Sequence, residues 1–163
     1  MGVSALARFD RDVLSTPSLG YVIVFEGIND IGLGFMKRTP GADAPAFLKN
    51  LPGGPITAED IIAGYRQLIA RAHAHGVKIY GATITPYQGA ATASPEGEAA
   101  RQAVNHWIRT GGGFDAVIDF DSVWRDPAHP NQIRQGFHMG DHLHGSDAGY
   151  RALADSIDLR LFR

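Results

Sequence analysis

Five consecutive apolar residues, Tyr21-Val22-Ile23-Val24-Phe25, followed by Glu26 and Gly27, restrict this chain more than any other stretch. β-branched and aromatic types with no polar residue between them suit a strand covered on both faces, as in a parallel sheet with helices above and below. A chain built around such a strand must supply further strands and the helices that cover them. Both are present. Lys78 to Thr85 reads as a second strand, ending at Pro86, and Ala116 to Phe120 as a third.

The segments between them carry helical periodicity. Residues 4 to 14 place Leu6, Phe9 and Val13 on one face behind Ser4 as N-cap, and stop at Ser15-Thr16-Pro17. Residues 57 to 75 repeat the apolar face through Ile61, Ile62, Tyr65, Leu68, Ile69 and Ala72. Thr57 stands at the N-cap, Glu59 and Asp60 lie in the first turn, and Gly76 follows the end. A third helix opens at Ser94 with Pro95 in its first position, turns Ala99, Ala103, Val104 and Trp107 inward, and closes at Gly111. The last starts at Ser146 or Asp147 and buries Tyr150, Leu153, Ala154 and Ile157. The order α-β-α-β-α-β-α predicts a three-layer α/β domain with a parallel sheet and right-handed crossovers.

With 163 residues, 44% of them hydrophobic, residues 1–163 read as one domain. The 15 basic and 17 acidic residues are interspersed, giving a net charge of -2, so no nucleic-acid or anionic-membrane partner is implied and a small neutral substrate is. Cysteine is absent, which removes a thiol nucleophile and thiolate metal sites. No stretch reaches the apolar length of a membrane span, and the start lacks the layout of a secretory signal. The chain therefore reads as soluble and, as it stands, cytoplasmic, with a leader ahead of Met1 left open. Two connections, residues 31 to 56 and 121 to 145, exceed ordinary loop length. Both follow strand ends, where open α/β sheets place their ligand crevices.

Residues that can do chemistry sit in those connections. His144 is the strongest base: an imidazole can take a proton from an attacking oxygen if its other nitrogen finds an acceptor. Asp141, three residues earlier, can fold back to be that acceptor. Asn29, just past the first strand, can donate its amide to a developing oxyanion. Gly27 and Asp30 flank it as candidate substrate contacts, Asp30 also reading as a cap or loop anchor. Taken singly, each pattern also fits a capping loop or a tolerant turn. His138, His142, His144, Asp141 and Asp147 are five potential ligands in ten residues, yet Gly136 and Gly140 argue against the helix that would bring His138 and His142 to one face. No metal and no cofactor is implied.

Taken together, Gly27-Ile28-Asn29-Asp30 after an apolar strand, two further βα units, and Asp141-His142-Leu143-His144 before the last helix resemble the SGNH (GDSL) hydrolase family. Tyr21 to Gly32, Gly112 to Asp126 and Gly140 to Ile157 are similar to its arylesterase and acetylesterase branch. The resemblance spans essentially the whole chain. It implies a flavodoxin-like sheet, a Ser-His-Asp triad and an oxyanion hole, with His144 as base, Asp141 orienting it and Asn29 in the hole. It further implies a carboxylic ester hydrolase for short acyl chains.

The chain departs from that pattern at its front end. The family's Gly-Asp-Ser nucleophile block and second-block Gly are not in it, and Gly145-Ser146 stands where Pro-Asn is usual. Ser146 is too close to His144 in sequence for in-line reach, Ser4 and Ser156 sit on helices, and Ser15, Ser18, Ser94 and Ser122 follow no nucleophile-like turn, so each reads as a cap or loop residue. The reading is thus of a truncated member, leaving as alternative a weak or inactive scaffold. The family's nucleophile strand would neighbour Tyr21 to Phe25, so its loss leaves an open edge, and a homodimer pairing those edges is expected.

Overall fold

The computed structural model describes residues 3–35 and 56–163. The long connection after the first strand falls largely outside the described residues. Helix α1, Ala5–Phe9, runs on through a π turn at Asp10–Leu14 and packs Leu6, Phe9 and Val13 inward, the face read from the sequence. Ser4 stands at the N-cap, but its side chain makes no capping bond. Strand β1 is Tyr21–Val24 and helix α2 Ile28–Gly34. Helix α3, Ala58–Ala74, has the clearest local encoding. Thr57 and Asp60 form a reciprocal capping box, and His75 and Gly76, the latter at φ 68°, turn the chain out of the helix.

Strand β2 is Lys78–Ala82, helix α4 Pro95–Thr110, strand β3 Ala116–Ile118, helix α5 Phe120–Trp124 and helix α6 Asp147–Asp155, with a 3-10 turn at Leu159–Phe162. The sheet is parallel in the order β1-β2-β3, with Tyr21 opposite Lys78 and Tyr80 opposite Ala116. Successive side chains leave opposite faces, and two cores result. Val22, Val24 and Ile79 join Phe9, Tyr65, Leu68, Val104 and Ile108 beneath α1, α3 and α4. Tyr21, Ile23, Tyr80, Ala82 and Ile118 join Trp124, Leu153 and Phe162 beneath α5, α6 and the final turn. This is the three-layer parallel architecture the alternation predicts.

Several expectations need correction. β1 sends side chains to both faces, but only Val24 is buried, and Phe25 lies outside the strand. Among the described residues β1 pairs with β2 alone, so burial thins toward that edge. The second strand stops at Ala82, and the buried segment beyond it is held differently: the Asn105 side chain accepts the Ile84 N–H (2.7 Å) and donates to the Ile84 carbonyl (2.8 Å). Phe120 opens α5 instead of closing β3. In α4 the inward face is Gly97, Arg101, Val104, Asn105 and Ile108, while Ala99 and Ala103 are exposed. Hydropathy alone selects the alanines. The fold selects an arginine and an asparagine because buried partners await them. In α6 Leu153 is buried while Tyr150 and Ala154 face solvent.

Candidate active site

Asn29, just past the first strand, lies in the first turn of α2, and the glycine before it makes this possible. Gly27 is the N-cap at φ 110°, a conformation that side chains resist, and a Cβ there would come within 3.0 Å of the Tyr65 hydroxyl and 3.1 Å of Ile84. The Tyr65 hydroxyl donates to the Glu26 carbonyl (2.7 Å), fastening the turn between β1 and α2 to α3. Burial, reinforced by the nearby Asp30 and Glu26 carboxylates, pushes the Tyr65 phenol upward, so it stays a donor. Gly27, Asn29 and Asp30 line a cleft of about 480 Å³ together with Glu26, Arg8 and Asp60. Desolvation in this cleft raises the Asp30 carboxyl even though the side chain keeps an open side. Asp141 and His144 are not among its walls.

The base candidate sits in the connection before α6. His144 Nδ1 lies 2.6 Å from Asp141 Oδ2, so the three-residue spacing closes as read. Asp141 Oδ1 also accepts the backbone N–H groups of Leu143 (3.0 Å) and His144 (2.9 Å). The His144 hydrogen bond, with those two N–H groups, holds the Asp141 carboxyl far below the usual carboxylate range. Nε2 of His144 has no hydrogen-bond partner among the described residues, and the side chain is 64% exposed.

Tertiary anchors fix this loop. Ser146 caps α6 by accepting the Gly149 N–H, and its hydroxyl donates to the Gly136 carbonyl (2.6 Å). The Trp124 indole donates to the Gly149 carbonyl (2.9 Å), and Gly145 packs so close to the Trp124 ring that a Cβ would reach 2.6 Å. Gly145, a departure from the family wording, thus answers a local lack of space. Neither Trp124 nor Tyr65 was picked out from the sequence as a support, because each acts on a segment distant along the chain.

The Asn29 segment and the base loop lean on one stretch, the residues following β2. Gly32 of α2 abuts Thr92, the His142 ring abuts Gly89, and Leu143 packs against the core that holds Ile28, Ile31 and Tyr87. Gly27, Asn29 and Asp30 are brought together at the end of β1, and Asp141 with His144 in the loop whose His142 lies against Gly89, in the segment that follows β2.

Five of the seven serines, all but Ser4 and Ser18, are occupied locally. Those at 94 and 146 cap helices, and the hydroxyls of Ser15, Ser122 and Ser156 donate to the carbonyls of Arg11, Asp119 and Leu153. The histidines bring a correction. His138 and His142 do meet, although the segment is not helical: their rings stack at 4.3 Å. Among the described residues no group of three or more His, Asp or Glu side chains could hold a metal ion, and no helix is long and apolar enough to cross a membrane.

A flavodoxin-like parallel sheet with helices on both faces defines a three-layer α/β domain. The chain belongs to the GDSL-like lipase/acylhydrolase family, whose sequence model matches residues 2–152. Its fold is similar to that of a GDSL-like lipase from Bacteroides thetaiotaomicron, with a TM-score of 0.68 at 15% identity, covering 92% of this chain and 65% of that one. It is also similar to a catalytic mutant of an acetylxylan esterase from Geobacillus stearothermophilus (TM-score 0.63, 19% identity, 93% of this chain and 63% of that one). A third is an alpha/beta hydrolase enzyme from the metagenome of Lake Arreo (TM-score 0.61, 18% identity, 93% and 63%). The chain thus spans under two thirds of the length of these three structures. No curated protein matches it.

Proposed function

We propose that this chain carries the proton-transfer and oxyanion-stabilising groups of a carboxylic ester hydrolase for short-chain acyl esters. The observation that supports it most is the Asp141–His144 pair, with Nδ1 engaged at 2.6 Å and Nε2 unengaged. In this reading His144 takes a proton from the attacking oxygen as that oxygen bonds the acyl carbon, then delivers it to the departing alcohol. Asp141 keeps the imidazole in the Nδ1–H tautomer and stabilises the imidazolium. Asn29 donates its amide to the carbonyl oxygen as it becomes an oxyanion, a contribution of about 3 kcal/mol where such donors have been removed, and Gly27 and Asp30 flank it as substrate contacts. The attacking oxygen, in the chain by itself, belongs to water. That one protein of like fold is an acetylxylan esterase supports the short acyl chain.

Hydrolysis of p-nitrophenyl acetate tests this reading. The wild type should exceed the buffer rate, and His144→Ala should remove most of that excess, since general-base catalysis contributes about a hundredfold or more. Asn29→Ala should remove a comparable share. Equal rates for all three proteins would leave the scaffold alternative standing.

One observation favours a partner as well. β1 has no second strand partner among the described residues, and Phe25 at its end is 38% exposed. An edge of unpaired N–H and C=O groups is a template for another strand. In a homodimer the two β1 edges would pair antiparallel about a two-fold axis. Sedimentation velocity should return twice the chain mass; a monomer at all concentrations removes the idea.

A further inference from the structure

The loop that carries the base is shaped by side chains more than by backbone pairing. Two backbone bonds close it from outside, Met139 N–H to the His144 carbonyl (2.9 Å) and Ser146 N–H to the Phe137 carbonyl (2.9 Å). Inside, four N–H groups turn to side chains. Asp141 takes those of Leu143 and His144, and His138 Nδ1 takes those of Gly140 (3.0 Å) and His142 (3.3 Å). Two turns therefore run back to back, the first capped by an imidazole and the second by the carboxylate that the first presents.

The first turn needs its cap. Gly140 is at φ 100° and His142 at φ 59°, and a histidine in the left-handed region is uncommon enough to require support from its surroundings. The support is visible. The His142 ring stacks on His138 at 4.3 Å and 29°, and it also lies against Gly89, itself at φ 99°, where a Cβ would come within 2.9 Å of the ring. His142 Nδ1 is buried with no partner, so the ring is held by packing and not by a bond from that atom. Without an acceptor at position 138, the N–H groups of residues 140 and 142 would lose their partner, and the turn that delivers Asp141 to His144 would lose its shape.

From this geometry we infer that His138 is a positioning residue for the Asp141–His144 pair, its neutral Nδ1 serving as a lone-pair acceptor and the His142 ring, seated on Gly89, locking the turn. The inference rests on the reading of His144 as the base. It requires a definite tautomer at each end: His138 must carry its proton on Nε2, because Nδ1 faces two donors, whereas His144 must carry its proton on Nδ1, because that atom faces Asp141.

Long-range nitrogen–proton NMR on the full chain, at a pH where imidazoles are neutral, reads both. The expected wild-type result is Nε2–H at His138 and Nδ1–H at His144; an Nδ1–H form at His138 overturns the proposal without any variant. His138→Asn, whose amide oxygen can stand near the position of Nδ1, should keep His144 in the Nδ1–H form. His138→Phe fills the space with no acceptor and should release His144 to the Nε2–H form that free imidazole prefers, with the far-UV circular dichroism unchanged. If His144 holds its tautomer in His138→Phe, or loses it equally in His138→Asn, the acceptor role is wrong. Should His138→Phe fail to fold, Gly89→Ala supplies the second arm, and an unaltered His144 tautomer there overturns the seat. The measurement needs no turnover, so an inactive wild type would sink the esterase reading while leaving the positioning of His144 to be judged separately.

Discussion

Arg101–Asp121 and His144–Asp141 each set a basic side chain against a carboxylate, and both close at 2.6 Å, yet their surroundings are opposed. Arg101 and Asp121 are each 0% exposed, whereas His144 and Asp141 are 64% and 47% exposed. The buried pair never stands alone. Asp121 also receives Arg109 (2.7 Å) and Arg125, while Arg101 reaches both oxygens of Glu98 and donates to the Ile84 carbonyl. Asp119 takes Arg109 and the Thr83 hydroxyl, and Thr83 in turn accepts the Asp121 N–H. Three arginines and three carboxylates tie α4, α5 and the ends of β2 and β3 into one lattice, with Arg125 Nε the buried nitrogen left without a partner among the described residues. The exposed pair instead leaves one nitrogen uncommitted. Fully matched charge makes framework, and partly matched charge at the surface makes chemistry available.

The sharpest way to break this contrast is Asp121→Ala. Removing one partner of a buried ion pair costs about 3–5 kcal/mol, because the remaining charges stay buried without compensation. Denaturant unfolding should show a loss of that order, and a loss below about 1 kcal/mol, the scale of a surface pair, would abolish the distinction. Next in size is Gly149→Ala. A Cβ at Gly149 would overlap the Phe137 carbonyl oxygen, and such overpacking costs about 1–3 kcal/mol. A smaller loss would show that the exposed loop is anchored less firmly to α6 than its bonds suggest.

The smallest effect belongs to Asp141→Asn, expected to change stability at neutral pH by less than about 1 kcal/mol. Its pH dependence carries more information. Hydrogen bonds from His144 and from two backbone N–H groups hold the Asp141 carboxyl below its unfolded value of about 3.9. A carboxylate depressed in the folded state contributes stability above that unfolded value and loses it as pH falls through the lower folded one. Unfolding free energies followed into acid should therefore converge for wild type and Asp141→Asn below about pH 4. Curves that stay parallel throughout would mean that Asp141 is not held as described.

What could be read from the sequence was whatever closes locally. The Asp141–His144 pair spans three residues, the Thr57–Asp60 box likewise, and α3 announces its buried face by period alone. The rotated face of α4 could not be read this way. Arg101 and Asn105 turn inward because Asp121 and the Ile84 backbone lie there, and those residues come from other elements. Helix α2 was missed for a related reason: Gly32 and Gly34 look like breakers, but Gly32 is a contact point where a Cβ would strike Thr92. That the Asn29 segment and the base loop rest on the same residues after β2 depends on Thr92 and Gly89, neither of which has any chemical signature of its own.

The bonds of the segment from His138 to His144 join residues two to five positions apart, while Tyr21 must find Lys78 and Tyr80 must find Ala116 before the sheet exists. Closing short loops costs far less chain entropy than closing long ones. The polar turns before α6 therefore close at a far smaller entropic cost than the sheet does, and it is the Trp124 indole, through the Gly149 carbonyl, that ties them to elements joined over long stretches of chain.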